Sequence, residues 1–574
     1  MSAHKTAAPD APQAGAAAEL IEDWPLRPWL LAGLLGVAGL IVHALVGDYQ
    51  HSDVPWRAGF AAATGFGALA LAFTLNLKRA PEALAFGVLI ALVLGLIAWH
   101  ITRTDTQIAG VEYSFAAAVF FAGLALPLFQ AGFHRQRWRT DYADTHFHVW
   151  TDAISAGGAL AFVGLSWIML FLLDSLFSLI GIKIIGELVR EGWFGWSWSG
   201  AAFGAALGVI RNNLRIIGAL QNVVMLVFAL LAVPLALALV VFLLALLASG
   251  GAALWEATDS ATPILLSCAA GSFVLFNAII RDNDQARSNN KIMLIAAAVL
   301  AAGILPLTLF AAISTGLRID QHGLSPERIW AVIAVAVASA YGIGSFVALA
   351  RGRMAGWSAA LRDANLKLAA GVCVLAFALA LPFWDFGAIS AKNQVARLDR
   401  GAVTPEAFDF TALRWDFGAA GEAALARLAQ REGEVGLLAA AAKAQVNKPH
   451  RWAEAEVPVK FHTQPADPEL ERQLRAFFET DPYYCNSYCV ALDRGRDARG
   501  RRIVLIVQRH RQQWLQVEPS GAVVAAIDRA VEGPDVPELG PASTIEIRDV
   551  AKPYVFIDGV ETSEQLREPD LDVE

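Results

Sequence analysis

The stretch LKLAAGVCVLAFALALPFWDFGAISAKNQVARLDR, residues 366–400, marks the point at which the composition of this chain changes. Its first part is an apolar run suited to a membrane helix, and its last ten residues carry four charges. From Trp29 up to this stretch the chain reads as one apolar span after another, whereas residues from Ala391 onward have the composition of a soluble domain. The first part therefore needs a bilayer as its solvent, and the second part needs water.

The whole chain is too apolar and too poor in charge for a typical soluble protein. Its 574 residues are 56% hydrophobic and 17% charged, with a mean hydropathy of +0.47, whereas about 25% of the residues of soluble domains are charged. The net charge of -8 and the pI near 5.8 argue against nucleic acid as a partner, because a phosphate-binding surface carries a basic excess. Composition therefore predicts the lipid bilayer as a partner.

About eleven segments have the roughly 20 mostly apolar residues that a helix needs to cross about 30 Å of hydrocarbon. They are residues 29–46, 58–76, 83–101, 113–133, 153–173, 196–210, 223–248, 261–280, 292–315, 329–350 and 366–383. The segment 196–210 is the shortest. Without it, everything that follows would have the opposite orientation.

Lys and Arg predict the orientation of these spans, because cytoplasmic loops hold the excess of both residues. With the N-terminus in the cytoplasm, sixteen Lys and Arg fall on inner segments and six on outer ones. The outer six are Arg57, Arg103, Lys183, Arg190, Arg318 and Arg328. An odd number of spans then exports the C-terminal domain.

These patterns predict an α-helical polytopic membrane bundle of about 11 spans followed by a small α+β soluble domain. The predicted parts are a disordered N-terminal tail at 1–28, the transmembrane bundle at 29–390 and a periplasmic soluble domain at 391–574. The first helix is retained and not cleaved as a signal, because the segment before it carries acidic residues and many further spans follow.

Within the soluble domain, the clearest predicted helices are Gly421 to Gln430 and Pro468 to Glu479. The charged turn Asp493 to Arg502 between two strand-like segments predicts a hairpin. The strand-like segments are 457–462, 489–492, 503–508, 514–517, 523–527, 544–547 and 554–557.

Two of the four cysteines, Cys485 and Cys489, lie close together in the soluble domain. In an oxidising compartment such a pair closes a disulfide loop, and otherwise it remains as two thiols. Zinc is a third alternative, but two cysteines are too few ligands and the nearest histidines in sequence, His462 and His510, lie about twenty residues away. No metal and no cofactor is predicted.

Three motifs resemble the bacterial multi-spanning family catalogued as domain of unknown function 4153. They are Thr145-His146-Phe147-His148-Val149-Trp150-Thr151-Asp152 with Leu173-Asp174-Ser175-Leu176-Phe177, Gly323-Leu324-Ser325-Pro326-Glu327-Arg328, and Asp409-Phe410-Thr411-Ala412-Leu413-Arg414-Trp415-Asp416-Phe417-Gly418. The resemblance runs from about the second span to about residue 430. It implies a bacterial inner-membrane protein, and it brings no activity or catalytic residues with it.

The polar candidates begin at the cytoplasmic mouth of the fifth span, where His146, His148 and Asp152 lie close together. On a continuous helix His148 and Asp152 share a face, and imidazole beside carboxylate binds a divalent metal or relays a proton. The alternative is a solvated helix entrance. Asp174 follows about 21 apolar residues near the outer interface, where a carboxylate is either functional or simply reaches water.

Asn277 lies near Arg281 and Asp282 at the cytoplasmic side, where buried amides hold helices together or form a gate. Gly200, Gly204 and Gly208 recur every four residues of the sixth span, and this spacing predicts close helix packing inside the bundle.

No catalytic residues are predicted, because the phosphate-binding, zinc-protease and serine-hydrolase motifs are all missing from the sequence. Two functional classes remain. In one, the exported domain binds an envelope protein partner or a signal and the bundle is its anchor. In the other, the bundle transports a small solute or ion. The near absence of charge along the spans favours the first, because ion pathways need a polar lining.

Overall fold

The computed structural model describes residues 24–47, 54–104, 107–249, 261–445, 448, 460–480, 482–485, 488–497, 500–508, 511–518, 523–530, 540, 543, 545, 554–557 and 560–565. Side-chain surroundings within these ranges are not described for 214–216, 353–355 and parts of the C-terminal strands. Of the predicted N-terminal tail, residues 1–23 lie outside the described residues. Arg27 begins the first helix and is buried.

The described residues of the N-terminal part contain ten long helices. They are α1 (Arg27–Val46), α2 (Pro55–Thr74), α3 (Ala80–Thr104), α4 (Val111–Gln130), α5 (Tyr142–Ser178), α6 (Gly192–Asn212), α7 (Leu214–Ala248), α8 (Thr262–Ile280), α9 (Lys291–His322) and α10 (Pro326–Ala380). Short helices at Phe133–Gln136 and Ile184–Arg190 join them. Four further helices follow, α11 (Phe386–Asp399), α12 (Phe410–Trp415), α13 (Gly418–Leu428) and α14 (Glu434–Lys443).

Nine segments of the described residues are long and apolar enough to cross a membrane, and they indicate a membrane protein. They correspond to nine of the predicted spans. The other two, 58–76 and 196–210, coincide with α2 and α6, which are helices of 20 and 21 residues but are not among the nine. Glycine, serine and threonine lower the apolarity of these two helices.

Helix α10 provides two of the nine segments because it folds back on itself. A Cβ added to Gly344 would lie 3.0 Å from Cδ1 of Leu368, whereas a straight helix would separate these residues by about 36 Å. At the turn, a Cβ on Gly352 would overlap the backbone of Trp357. The two arms, Pro326–Gly352 and Gly356–Ala380, therefore lie side by side and match the tenth and eleventh predicted spans.

Close backbone approaches join the less apolar helices to their neighbours. Cβ atoms on Gly200, Gly204 and Gly208 would overlap the backbone of α1, at Leu35, Leu31 and Pro28 in turn. Helices α1 and α6 are thus antiparallel and in contact along their length. The predicted glycine seam is internal bundle packing, as expected.

The surface of the bundle is apolar. Large side chains of α5 and α7 are mostly exposed, for example Leu165 at 63%, Leu172 at 66% and Leu237 at 67%. A soluble monomer rarely exposes apolar patches of this extent, so this surface suits contact with lipid.

The helices α11 to α14 pack around their own buried cluster, which includes Phe410, Leu413 and Leu425. They are also bonded to loops of the bundle. Asn393 Oδ1 accepts a hydrogen bond from the Leu324 N–H at 2.9 Å, and the Ala419 N–H donates to the Gln107 carbonyl at 2.9 Å.

The chain divides by its contacts into two units, Met1–Ala444 and Gln445–Glu574. The predicted soluble domain of residues 391–574 is therefore shared between them. Its composition changes near Ser390 because α11 to α14 have polar surfaces, but their hydrogen bonds and contacts keep them with the bundle.

The second unit is α+β. Strands β1 (Phe461–Gln464), β2 (Cys489–Arg496), β3 (Arg502–Gln508), β4 (Arg511–Val517) and β5 (Val523–Ala530) form a sheet in that order. Strand β1 is parallel to β2, and the other neighbours are antiparallel. Helix α15 (Pro468–Thr480) contributes Leu470, Leu474 and Phe478 to the sheet's core. Strands β6 (Tyr554–Ile557) and β7 (Val560–Gln565) form a separate pair.

The predicted hairpin is the β2–β3 pair, although both strands extend into the predicted turn. Strand β4 begins before the predicted 514–517, because Arg511 to Gln513 also pair with β3. Of the predicted strand at 544–547, only Ile545 is among the described residues.

Candidate functional site

The first half of α5 carries a run of buried polar side chains. Asp141 caps the helix by accepting a hydrogen bond from the Ala143 N–H at 3.0 Å, so the helix begins well before its apolar segment. The buried polar residues are Thr145, His146, His148, Thr151 and Ser155. Burying such a group without a partner costs about 1–3 kcal/mol, so their surroundings matter.

The helix directs the two predicted histidines to different neighbours. Residues two apart on an α-helix point about 200° away from each other. His146 lies beside Tyr142, one turn earlier, with ring centroids 5.6 Å apart. His148 shares a face with Asp152, as the spacing predicts. The three predicted residues therefore do not form one cluster.

The carboxylate of Asp152 accepts a hydrogen bond from the end of α4 and lies near the ends of α2 and α6. Gln130, the last residue of α4, donates from Nε2 to Asp152 Oδ1 at 3.3 Å and to the Phe73 carbonyl of α2 at 2.9 Å. Arg211, near the end of α6, donates to the neighbouring Ala72 carbonyl. The charge of Arg211 acts on both His148 and Asp152.

This group, which we call the Asp152 site, consists of Gln130, His148, Thr151, Asp152, Ser155 and Arg211. Several of its buried oxygens have no hydrogen-bond partner among the described residues. They are Asp152 Oδ2, Gln130 Oε1, Thr151 Oγ1 and Ser155 Oγ. Ser155 is only 1% exposed, so bulk water does not reach this side chain directly.

Asn277 occupies a second polar site, on α8. Its Oδ1 accepts hydrogen bonds from the Tyr142 hydroxyl at 3.2 Å and from Asn365 Nδ2 at 2.8 Å. Its own Nδ2 donates to the Phe273 carbonyl at 2.7 Å. The amide thus joins α5, α8 and the second arm of α10, which is the helix-joining role that the sequence allows for it.

An ion pair lies near this second site, since Arg362 is one turn before Asn365 on α10. Arg362 Nη2 donates to Asp284 Oδ1 at 2.5 Å, and Arg362 Nη1 donates to the Ile280 carbonyl at 3.0 Å. The Ser358 hydroxyl also donates to Asp284, at 3.0 Å. The hydrogen bond from Arg362 is the main cause that holds the pKa of Asp284 below its usual value. The loop after α8 is therefore tied to α10.

Asp174 lies near the other end of α5 and is half-exposed. A Cβ on Gly186 would lie 2.5 Å from Asp174 Oδ1, so the carboxylate rests against the short helix Ile184–Arg190. This helix follows the turn after α5, as its mixed apolar and charged sequence suggests.

The predicted polar residues thus occupy three separate places on the bundle. Two mainly apolar cavities, of about 770 Å³ and about 720 Å³, lie elsewhere. The first is lined by α1, α2, α3, α4 and α6, and the second by α4, α8, α9 and α10. Neither is lined by Asp152, Asp174 or Asn277.

Three residues that contact the predicted ones were not predicted from the sequence, namely Gln130, Asn365 and Tyr142. Each stands at or near the end of an apolar segment, where a polar residue usually marks the interface. The feature that could have identified Gln130 and Asn365 is an amide side chain close to or within an apolar span. Their partners come from distant parts of the chain, so spacing alone does not pair them.

The second unit contains a disulfide between Cys485 and Cys489, whose Cα atoms are 5.9 Å apart. Both residues are buried in the sheet's core.

Arg502 of β3 is a further feature of this unit, because it bonds to Asp493 of β2 and to Asp467 before α15, each at 2.6 Å. The hydrogen bond from Arg502 is the main cause that lowers the pKa of Asp467. Burial acts to raise the pKa of Asp493, but the bond from Arg502 and other contacts keep it below its usual value.

Among the described residues, no group of three or more His, Cys, Asp and Glu side chains is placed to hold a metal ion. The Asp152 site offers mainly oxygen atoms, from a single carboxylate, an amide and two hydroxyls. Transition-metal sites usually contain imidazole nitrogen or thiolate sulfur ligands, so this set of mainly oxygen donors is not typical of them.

Residues 61–428 match the family model described as Domain of unknown function (DUF4153). The match covers more than half of the chain, and it extends through α13. No curated protein and no solved structure matches the chain.

Proposed function

This chain belongs to the DUF4153 family, and from that premise we propose that it is a bacterial inner-membrane protein whose exported C-terminal part binds an envelope partner or signal. The bundle serves as its anchor. No activity is assigned to the family, so the proposal rests on the placement of polar residues, the pairing of helices and the features of the second unit.

One observation carries the proposal. The polar residues predicted from the sequence are distributed over three places, at Asp152, Asn277 and Asp174, and two of these groups bond neighbouring helices together. Transport of a polar solute needs polar groups along one path. The two cavities of about 770 Å³ and about 720 Å³ have mainly apolar linings instead.

Helix pairing supports an odd number of crossings. Helix α6 lies antiparallel to the apolar α1 from Gly208 to Trp196, so a bilayer that contains α1 also contains α6. Helix α2 pairs with α3 in the same way, since Gly59 faces Gly95 and Gly67 faces Gly87. Added to the nine apolar segments of the described residues, α2 and α6 would make eleven crossings. With that number, the Lys and Arg excess of the inner loops favours a periplasmic C-terminal part.

The second unit has features of an exported binding domain. It has its own buried core, separate from that of the bundle. Its disulfide fits an oxidising compartment. The unit is joined to the first after Ala444, beyond the end of the family match at residue 428.

Reporter fusions test the location. Alkaline phosphatase fused after Glu574 should be active and green fluorescent protein at the same position should be dark. Matched fusions after Ser288, in a predicted inner loop, should show the opposite result. Bright fluorescence after Glu574 would place the domain in the cytoplasm and overturn the proposal.

Site-specific photo-crosslinking in the full-length protein tests the binding role. A photoreactive residue at Arg494, exposed on β2, should form an adduct with one discrete envelope component in living cells. The same residue at Leu172, exposed on the apolar surface of α5, provides the control and should form no such adduct. Equal adducts at both positions, or none at any exposed position of the second unit, would argue against a partner.

A further inference from the structure

We propose that the Asp152 site binds one monovalent alkali cation, with Asp152, Gln130 and Ser155 among its ligands. This inference is independent of where the C-terminal part lies and of what that part binds.

The first observation is the set of orphaned oxygens. Asp152 Oδ2, Gln130 Oε1 and the hydroxyls of Thr151 and Ser155 are buried and lack hydrogen-bond partners among the described residues. Gln130 Oε1 is an acceptor only, and so is Asp152 Oδ2 when the carboxylate is ionised. Burial of such acceptors without a donor or a cation is costly, most of all for an ionised carboxylate.

The second observation is their placement. Thr151, Asp152 and Ser155 lie within one turn of α5, and helical spacing puts Asp152 and Ser155 on adjoining positions of one face. Gln130 reaches the same carboxylate from α4. An apolar cluster adjoins the site, since it contains Ala159, one turn after Ser155 on α5, and Phe73, whose carbonyl accepts from Gln130.

The third observation is the electrostatic setting. The Ala72 and Phe73 carbonyls belong to the last turn of α2, whose C-terminal end carries a partial negative charge. Helix C-terminal ends and carbonyl groups hold sodium ions in membrane proteins. Arg211 opposes a cation, but one of its donors is committed to the Ala72 carbonyl.

The donor set selects the type of ion. The ligands are hard oxygen atoms with a single carboxylate, whereas divalent calcium and magnesium sites usually gather more negative charge. With Arg211 nearby, the net charge of the site suits a cation of one charge better than one of two.

The test uses the purified full-length chain in detergent, with unfolding followed as a function of temperature. At equal ionic strength, sodium, lithium or potassium chloride should raise the midpoint of unfolding above its value in choline chloride, because a ligand that binds only the folded state stabilises it. Asp152→Asn should abolish this difference. Asp174→Asn, which removes a carboxylate outside the site, should retain it.

Ser155→Ala keeps the charge of the site and provides a second variant if Asp152→Asn does not fold. It should raise the half-saturating cation concentration about tenfold, equivalent to about 1.4 kcal/mol. Equal midpoints in all the monovalent salts would overturn the proposal and assign the orphaned oxygens to water. A cation effect that persists in Asp152→Asn would overturn it as well, as would an unchanged half-saturating concentration in Ser155→Ala or a preference for magnesium or calcium.

Discussion

At the scale of single residues, buried amides join helices of the bundle. Asn277 and Asn365 sit in apolar surroundings, and each satisfies the other through a bond of 2.8 Å. In the membrane such bonds contribute about 0.6 kcal/mol on average and up to about 1.7 kcal/mol. Their value therefore lies mainly in fixing which helices meet.

Asn365→Leu should destabilise the bundle by about 1–2 kcal/mol, because Asn277 loses one of its donors and stays buried. The midpoint of thermal unfolding in detergent measures the effect. Asn213→Leu is the matched control, since Asn213 is exposed and should change the midpoint little. In the double variant Asn277→Leu/Asn365→Leu the losses should not add, and full additivity would contradict the pairing.

Arg502 gives the second unit a stability that depends on pH. The pKa values of Asp467 and Asp493 are lower in the folded protein than in an unfolded chain. Each carboxylate therefore stabilises the fold above its unfolded pKa of about 3.9, and this stabilisation is lost as the pH falls through the folded pKa. The ion pairs are partly exposed, which limits their contribution.

In the full-length chain, amide hydrogen exchange of β3, corrected for intrinsic rates, should therefore accelerate as the pH falls from about 5 to about 3. Arg502→Met should exchange faster at neutral pH and lose most of this pH dependence. Arg472→Met, a change to an exposed ion pair of α15, is the control. If Arg502→Met kept the full pH dependence, these two carboxylates would not be its source.

At the scale of secondary-structure elements, glycine determines how closely helices approach. Helices α1 and α6 meet through Gly200, Gly204 and Gly208, where a side chain would overlap carbonyl groups or backbone atoms of α1. This contact explains how α6, with its lower apolarity, belongs inside the bundle. Small residues at helix contacts serve the same purpose in other membrane proteins.

Gly204→Ala should lower stability by about 1–3 kcal/mol, because the added methyl group forces α1 and α6 apart. Gly271→Ala is the matched control, since a Cβ there meets nothing within 4 Å. The control should be neutral or slightly stabilising, because alanine favours helix more than glycine does. Unfolding midpoints and membrane abundance report both effects, and equal loss in the two variants would show that the α1–α6 contact is not the cause.

At the scale of the whole molecule, the disulfide reports the side of the membrane. When cells are quenched and their proteins are denatured, so that burial no longer protects a thiol, Cys485 and Cys489 should resist a thiol-reactive polymer until a reductant is added. The background for this assay has Cys268 and Cys373 replaced by serine. A strain that lacks the periplasmic oxidase should leave both thiols reactive. Thiols that react at once in normal cells would contradict the periplasmic location, because cytoplasmic cysteines remain reduced.

The class of protein and most of its helices follow from the sequence alone. The length of an apolar run is a local property, so it predicted the nine apolar segments, including the two arms of α10. The spacing of three glycines, also local, predicted the glycine seam of α6. Local alternation also located β2, β3 and β5. The family resemblance rested on short motifs, and the match over residues 61–428 confirmed it.

Which polar residues contact one another depends on the tertiary structure. His146 and His148 are neighbours in sequence, yet the turn of the helix sends one towards Tyr142 and leaves the other on the face of Asp152. Asp152 meets Gln130, and Asn277 meets Asn365, across long intervals of chain. Helices α11 to α14 have the composition of a soluble domain, yet by their contacts they belong to the same unit as the bundle. The physical reason is that hydrophobicity acts on each segment separately, whereas a buried polar group is satisfied by whichever distant helix the packing brings to it.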